Sequence, residues 1–267
     1  MSTIAASTGQ IRARRAGFLR DMISIGIRAL HSVRRDVEGV IPALIFPVFW
    51  FVISVGALQD QTERFLDLDY KAFQLPVAII FAVTGVSRAV TVVTDIQSGY
   101  FDKLSLTPVN RLALLFGLTI ADFALVVALT VPVLILGFAI GIRFESGPIG
   151  LVVFVLLAGA WGLVYAGFPY AIALKTGSPA AVNSSFLLFL PFVFLTTIFL
   201  PREALTGWLA TVAIYNPVTY LLDAFRSLIS VGWDAAVLGK AVASIGGVGI
   251  ISYTLALVAL KGRASRK

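Results

Sequence analysis

Six apolar runs, over residues 40–58, 76–93, 112–142, 149–174, 184–200 and 235–260, govern what this chain can become. A helix rising ~1.5 Å per residue needs about 20 such residues to cross a ~30 Å hydrocarbon core, whereas a barrel strand would be short and would alternate polar with apolar. These runs are of helix length and do not alternate. The sequence therefore predicts an all-α integral membrane protein with six transmembrane helices. The run 112–142 is long for one crossing, so either Pro132 kinks it or its end leaves the bilayer. Composition excludes the soluble alternative. The chain is 58% hydrophobic and 13% charged, with a mean hydropathy of +0.94, against ~45–50% apolar and ~25% charged for soluble domains.

The net charge of +7 would point to nucleic acid only if it were gathered on one soluble face. Here it follows the connections between runs. Of the 21 Lys and Arg, all but Arg64, Lys71, Arg143, Arg202, Arg226 and Lys240 fall in four places: the N-terminal segment, the 95–111 loop with nearby Arg88, Lys175, and the C-terminal tail. Both termini are thus expected on the cytoplasmic side of a plasma or inner membrane, which an even number of spans permits. No nucleic-acid partner is expected. Zero cysteines exclude thiolate metal sites and cysteine nucleophiles, and the single His31 has no evident metal partner. No metal or cofactor site is expected in this chain.

The domain organisation follows. Residues 1–39 form a cytoplasmic tail with an amphipathic N-terminal interfacial helix, 40–260 a single transmembrane domain, and 261–267 a basic cytoplasmic tail. The N-terminus is polar, then basic, with no apolar core followed by a small-residue cleavage site, and is expected to stay in the mature protein. Over 18–37, Phe18, Met22, Ile25, Ala29 and Val33 share one helical stripe while Arg20, Arg28, Arg34 and Arg35 lie elsewhere, the pattern of a helix lying in the interface. The loop 95–111 admits two readings. It can be a plain helix start, with Thr107 as N-cap, Pro108 at the first helical position and Arg111 as a snorkelling anchor. Alternatively, Phe101, Leu104 and Leu106 form an apolar ridge, flanked by Asp102 and Lys103, that docks into a soluble partner.

At this point a family resemblance enters. The run GYFDKLSLTPVNR, residues 99–111, resembles the cytoplasmic signature of ABC type 2 transporter permeases, in particular the branch of daunorubicin-resistance-like drug exporters. Asn216, Pro217, Thr219, Asp223, Ala224, Arg226, Leu228 and Gly232 resemble that family's second signature. The resemblance implies a membrane subunit working as a dimer, with a second permease copy or paralogue, and with separate nucleotide-binding ATPase subunits. It also implies that the loop after the second span is a coupling helix, with Gly99, Asp102, Lys103, Leu104, Pro108 and Arg111 as its coupling residues. No G-x-x-x-x-G-K-[ST] phosphate loop occurs in this sequence, so ATP and magnesium are expected on the partner and the chain is not itself expected to be an enzyme.

Two intramembrane charges need partners, because an isolated charge at mid-bilayer costs at least ~2.5 kcal/mol. Arg88 and Asp122 lie at similar depth, about 12 and 15 Å from the cytoplasmic ends of their spans, and either they pair or Arg88 snorkels while Asp122 faces a polar cavity. The connection 201–234 is too apolar for a solvated loop. Pro201 can start one helix reaching about Ala213, Asn216-Pro217 breaks the direction, and a second helix over 218–230 is only ~20 Å long, too short to span. The alternatives are a re-entrant helical hairpin entering from outside, with Asn216, Pro217, Asp223 and Arg226 as its gate, or an ordinary interfacial helix. In the hairpin reading Asp223 and Arg226, three residues apart, offset each other on one helix face. Phe186, Phe189, Phe192, Phe194 and Phe199 suit either an amphipathic cargo path or lipid-facing packing. The expected activity is ATP-driven export of an amphipathic, lipid-like or drug-like molecule; the alternatives are a glycan export permease of polysaccharide or teichoic-acid type, or a channel without ATP coupling.

Overall fold

The computed structural model describes residue 27 and residues 37–66, 68–84, 87–99 and 111–264. Every regular element among them is helical. The first helix, α1 (Val37–Leu66), runs through the acidic stretch expected to be a loop, because no helix breaker intervenes before the Asp-Leu-Asp sequence 67–69. Asp69 then caps α2 (Tyr70–Thr84): its Oδ1 accepts from the amides of Lys71 and Ala72 at 3.0 and 3.1 Å. The second helix therefore begins six residues before the expected start at Pro76, and Pro76 sits inside it. After a break, α3 (Ala89–Gln97) ends at Gly99, whose φ of 70° closes the helix in the left-handed region.

Next come α4 (Arg111–Ala139), with Pro132 inside a continuous helix, and α5 (Gly147–Tyr165), continued at Ala166 by α6 (Gly167–Thr176). The fifth apolar run behaves differently from the others. It forms α7 (Pro179–Asn183), a 3-10 turn over Ser184–Leu188 and α8 (Phe189–Phe194), and then leaves helical geometry over residues 195–200. Thr196 contributes to this ending, since its hydroxyl bonds back to the Val193 carbonyl. Beyond lie α9 (Gly207–Tyr215), α10 (Pro217–Arg226), a π turn over Ser227–Val231 and α11 (Ala235–Ala264). The expected first hairpin helix from Pro201 is shortened at its start. Residues 201–206 are extended apart from one 3-10 turn, and the helix begins only at Gly207.

Among the described residues, five helical stretches are long and apolar enough to cross a membrane: Ala43–Leu66, Tyr70–Gln97, Gly117–Ala139, Gly147–Thr176 and Ala235–Arg263. The Pro179–Phe194 stretch is shorter. The interfacial helix expected over 18–37 falls outside the described residues except for Ile27 and Val37.

α2 is the centre of the bundle, buried along nearly its whole length and packed by α1, α4, α5 and α10. Phe154 and Phe225 bring α5 and α10 together with ring centroids 4.2 Å apart, and Trp161 donates its indole N–H to Thr84 Oγ1 at 2.9 Å. In a bilayer, helices gain little from hiding apolar surface from lipid, so close approach through small residues decides the packing. Gly162 of α5 illustrates this. A Cβ there would lie 2.6 Å from Val126 and 3.1 Å from the Val83 carbonyl oxygen, so only glycine lets α5 rest on α4 and α2.

Candidate functional site

The main candidate site is built around the non-helical segment of residues 195–200, where Thr196, Thr197 and Ile198 are almost wholly buried. Irregular backbone at such depth leaves carbonyls without helical partners, and each must find a donor. Four side chains from two other elements supply them. Asn216 donates its Nδ2 to the carbonyls of Phe192 and Leu195 at 2.6 and 3.0 Å. Arg226 donates Nη2 to the Thr197 carbonyl at 2.8 Å and Nη1 to Thr197 Oγ1 at 2.7 Å. Gln74 of α2 donates to the Ile198 carbonyl at 2.9 Å, and the Tyr70 hydroxyl to that of Phe199 at 3.5 Å. Gln74 and Tyr70 are themselves joined at 2.8 Å. The segment is caged by polar groups that an apolar helix would not otherwise carry.

The two halves of the cage have different local origins. Asn216 sits in extended geometry at the N-cap of α10, where its Oδ1 accepts from the Val218 amide at 3.0 Å, and Pro217 occupies the first helical position. The Pro217 carbonyl receives Ser244 Oγ of α11 at 2.7 Å, fixing the hairpin break to the last long helix. Arg226 also donates Nε to the Phe73 carbonyl at 3.2 Å and lies with its guanidinium carbon 3.5 Å from the Phe73 ring centroid. One guanidinium thus joins α2 to the non-helical segment.

Asp223 and Arg226, expected to offset each other, stay close enough for their charges to act on one another but form no direct bond. Asp223 bonds instead to Arg202 Nη2 at 3.0 Å, and no salt bridge links it to Arg226 among the described residues. The reason lies in the acceptors available. Unsatisfied buried carbonyls face Arg226 at the interior side of α10, whereas Asp223 meets the returning segment that carries Arg202. Immediately after Arg226 the helix widens into its π turn, and the 140–146 loop clamps it. Glu145 N reaches the Ile229 carbonyl at 2.9 Å, Ser146 Oγ the Leu228 carbonyl at 2.6 Å, and Trp233 Nε1 the Ser146 carbonyl at 3.2 Å. Gly232, at φ 107°, makes the turn out.

A second polar cluster lies at the break between α2 and α3. Asp122 of α4 is 1% exposed and accepts the main-chain N–H of Arg88 at 2.8 Å and the Tyr170 hydroxyl at 2.5 Å. Arg88 and Asp122 are therefore brought together, through the Arg88 amide at the N-cap of α3. The carboxylate holds the start of α3 from a neighbouring helix while Tyr170 of α6 holds the carboxylate. Further along, Gln97 donates to the Gly177 carbonyl at 3.0 Å, tying the end of α3 to the end of α6.

Of the expected coupling residues, Asp102, Lys103, Leu104 and Pro108 lie outside the described residues. Gly99 ends α3 and Arg111 opens α4. Among the aromatics of the fifth run, Phe189 is buried, whereas Phe192, Phe194 and Phe199 are 53%, 38% and 40% exposed and, with Trp50 of α1, form an aromatic surface. The sequence reading did not single out Tyr70, Gln74, Thr197, Arg202 or Tyr170. An amide and a phenol one turn apart beside an apolar run were the available signal for Gln74 and Tyr70, obscured by the expectation that the span began at Pro76.

Comparison with known proteins agrees with this organisation. Residues 21–229 match the family described as ABC-2 type transporter. The chain belongs to the ABC-2 type transporter family. It is 27% identical over 196 residues to the daunorubicin resistance ABC transporter permease protein DrrB1 of Streptomyces coeruleorubidus, covering 72% of this chain and 68% of that protein. It is 26% identical over 203 residues to the probable doxorubicin resistance ABC transporter permease protein DrrC of Mycobacterium tuberculosis, covering 74% and 73% respectively. A putative transport permease, ycf38, of Cyanophora paradoxa is 23% identical over 221 residues, covering 80% of this chain and 75% of that protein. The matched region of the family contains both the cage and the Asp122 cluster.

Proposed function

We propose that this ABC-2 permease is the membrane subunit of an ATP-driven exporter that moves an amphipathic, lipid-like or drug-like molecule out of the cell, with ATP and magnesium handled by a separate nucleotide-binding partner. One observation carries the reading beyond family membership. The apolar stretch Tyr70–Gln97 has the caged segment at one end and, at the other, Gly99 and the loop that resembles the family's coupling signature. A push on that loop from a partner has a direct route to the cage. The relatives named for daunorubicin and doxorubicin resistance favour amphipathic cargo over a glycan, and the exposed aromatics beside Trp50 offer such cargo a surface.

In the topology we propose, the short run through Pro179–Phe194 and its caged continuation makes the remaining crossing, giving six, with both termini cytoplasmic. α9 and α10 form a re-entrant hairpin at the outer face. Trp208, Tyr215 and Trp233, which are 70%, 82% and 55% exposed, are suited to its polar-apolar boundary. A second permease copy completes the path. The test is purification of the tagged chain from its native membrane, followed by reconstitution with whatever ATPase accompanies it. The expected result is a co-purified nucleotide-binding subunit and ATP-dependent uptake of an amphipathic dye into inverted vesicles. A chain that brings down no such subunit, and conducts without ATP, is a channel and refutes the proposal.

A further inference from the structure

On the flank of the bundle, away from the cage, α6 and α11 leave a cleft of about 820 Å³ between them, within the ~300–1,000 Å³ of ordinary ligand sites. Its floor is aliphatic, from Ile172, Leu255 and Val258, with Leu255 and Val258 exposed. One end carries two cations, Lys175 and Arg263, and no Asp or Glu is among the described residues lining it. Arg263 is anchored: its Nη1 donates to the Leu174 carbonyl at 3.2 Å in the last turn of α6, which leaves its remaining donors for a ligand. Lys175 stands in that same last turn. An apolar trough opening on the lipid-facing surface, closed at the helix ends by two cations, matches a molecule with an acyl chain and an anionic head.

We infer that this cleft binds an anionic phospholipid, its phosphate between Lys175 and Arg263 and an acyl chain lying along Leu255 and Val258. Charge complementarity selects this occupant over the chain's own amphipathic segment 18–37, in which Arg20, Arg28, Arg34 and Arg35 outnumber Asp21 and Asp36, so that it would bring net positive charge to cations. The inference rests on the proposed topology only for the leaflet that supplies the lipid. The cytoplasmic leaflet, where anionic lipids gather, is the one that meets Lys175 in that topology.

The test is native mass spectrometry of the full chain in detergent, titrated with phosphatidylglycerol or phosphatidylcholine. The expected result is preferential retention of phosphatidylglycerol, weakened about fivefold by Lys175→Gln and comparably by Val258→Trp, which fills the trough but keeps both charges. Arg263→Gln should weaken it further, and the other two variants decide the matter if that one fails to fold. Equal retention of the two lipids, or retention indifferent to Lys175→Gln and Val258→Trp, overturns the inference. So does equally tight binding of glycerol 3-phosphate, which would make the site one for a soluble phosphate. The chain has no native cysteine, so efficient disulfide trapping between Ile25→Cys and Val258→Cys in membranes would assign the trough to segment 18–37 and overturn it too. None of these measurements needs an ATPase or transport, so the exporter reading stands or falls separately.

Discussion

Replacing Arg226 separates the cage from a simple ion pair. Arg226→Ala removes donors from the Phe73 carbonyl, the Thr197 carbonyl and Thr197 Oγ1, and also removes the cation over the Phe73 ring. Side-chain hydrogen bonds inside membrane proteins are worth only ~0.6 to 1.7 kcal/mol each, but each carbonyl left buried without a donor costs ~1–3 kcal/mol. The Thr197 carbonyl left without its donor, the lost bonds to Thr197 Oγ1 and Phe73, and the lost stacking give about 3–5 kcal/mol. At ~2–4 °C per kcal/mol for a chain of this size, the apparent Tm of the purified protein should fall by about 10 °C. Arg226→Lys keeps the charge, but a point ammonium cannot span three acceptors as the guanidinium fork does, so about half of the loss should remain. The decisive comparison is between two charge swaps. Exchanging Asp223 and Arg226 should rescue little, because the acceptors of Arg226 lie on other segments and a carboxylate in its place cannot donate to them. Exchanging Arg202 and Asp223 should recover most of the small effect, ~1 kcal/mol or less, of breaking that half-exposed pair. Recovery of Tm in the Asp223/Arg226 exchange would refute the assignment of Arg226 to the cage.

Other positions make independent tests. Asn216→Ala should destabilise by about 2–4 kcal/mol, since it deletes a helix cap and two buried donor contacts; Asn216→Asp keeps the cap but sets a buried carboxylate oxygen against two carbonyl oxygens, and should cost at least as much, as read by thermal unfolding. Tyr170→Phe strips Asp122 of its side-chain donor and should cost ~1–3 kcal/mol. Because the two share one bond, a double-mutant cycle with Asp122→Asn should return a coupling of at least ~0.5 kcal/mol, and strict additivity would dissolve the cluster. Gly162→Ala should cost ~1–3 kcal/mol through overpacking against Val126 and the Val83 carbonyl. Gly56→Ala on α1, where a Cβ meets nothing within 4 Å, should be neutral or slightly stabilising, measured side by side.

Much of the helical frame was legible because apolar run length translates directly into helix length. The acidic 59–66 stretch was hard to place because charge alone does not end a helix: α1 continues to Leu66, and Asp69 caps the start of the next helix. The fifth run hid its non-helical end for a related reason. Its hydropathy is that of a span, but Thr196 and Thr197 offer the backbone alternative partners, and what stabilises the resulting segment is supplied by Gln74 and Arg226, distant in sequence. For Asp223 and Arg226 spacing told only part of the story. Residues three apart on a helix lie near each other, but their hydrogen-bond partners, Arg202 for Asp223 and the Thr197 carbonyl for Arg226, come from other segments, which no local spacing records. Asn216-Pro217 was readable because its chemistry is local: a side-chain acceptor followed by a residue without an N–H defines a helix start wherever it occurs.

The two polar clusters occupy opposite ends of one structural line, and their chemistry suggests a division of labour. At the cage, donors on α2 and α10 satisfy a segment that cannot satisfy itself, so any relative slide of α2 against α10 strips carbonyls of partners and costs several kcal/mol unless water or cargo replaces them. At the other end, Asp122 accepts the Arg88 amide at the start of α3 and is itself held by the Tyr170 hydroxyl of α6. This cluster lies nearer to Gly99 along the chain than the cage does, so a force arriving at Gly99 should meet it first, letting α3 swing, and reach the cage only when the displacement persists. Weakening the Asp122 contact with Tyr170→Phe should then loosen the link between the loop and the cage: hydrogen exchange along α3 should rise while the amides of α10 stay protected. Exchange rising equally in α3 and α10 would mean that the two clusters open as one unit, and the proposed order of release would be wrong.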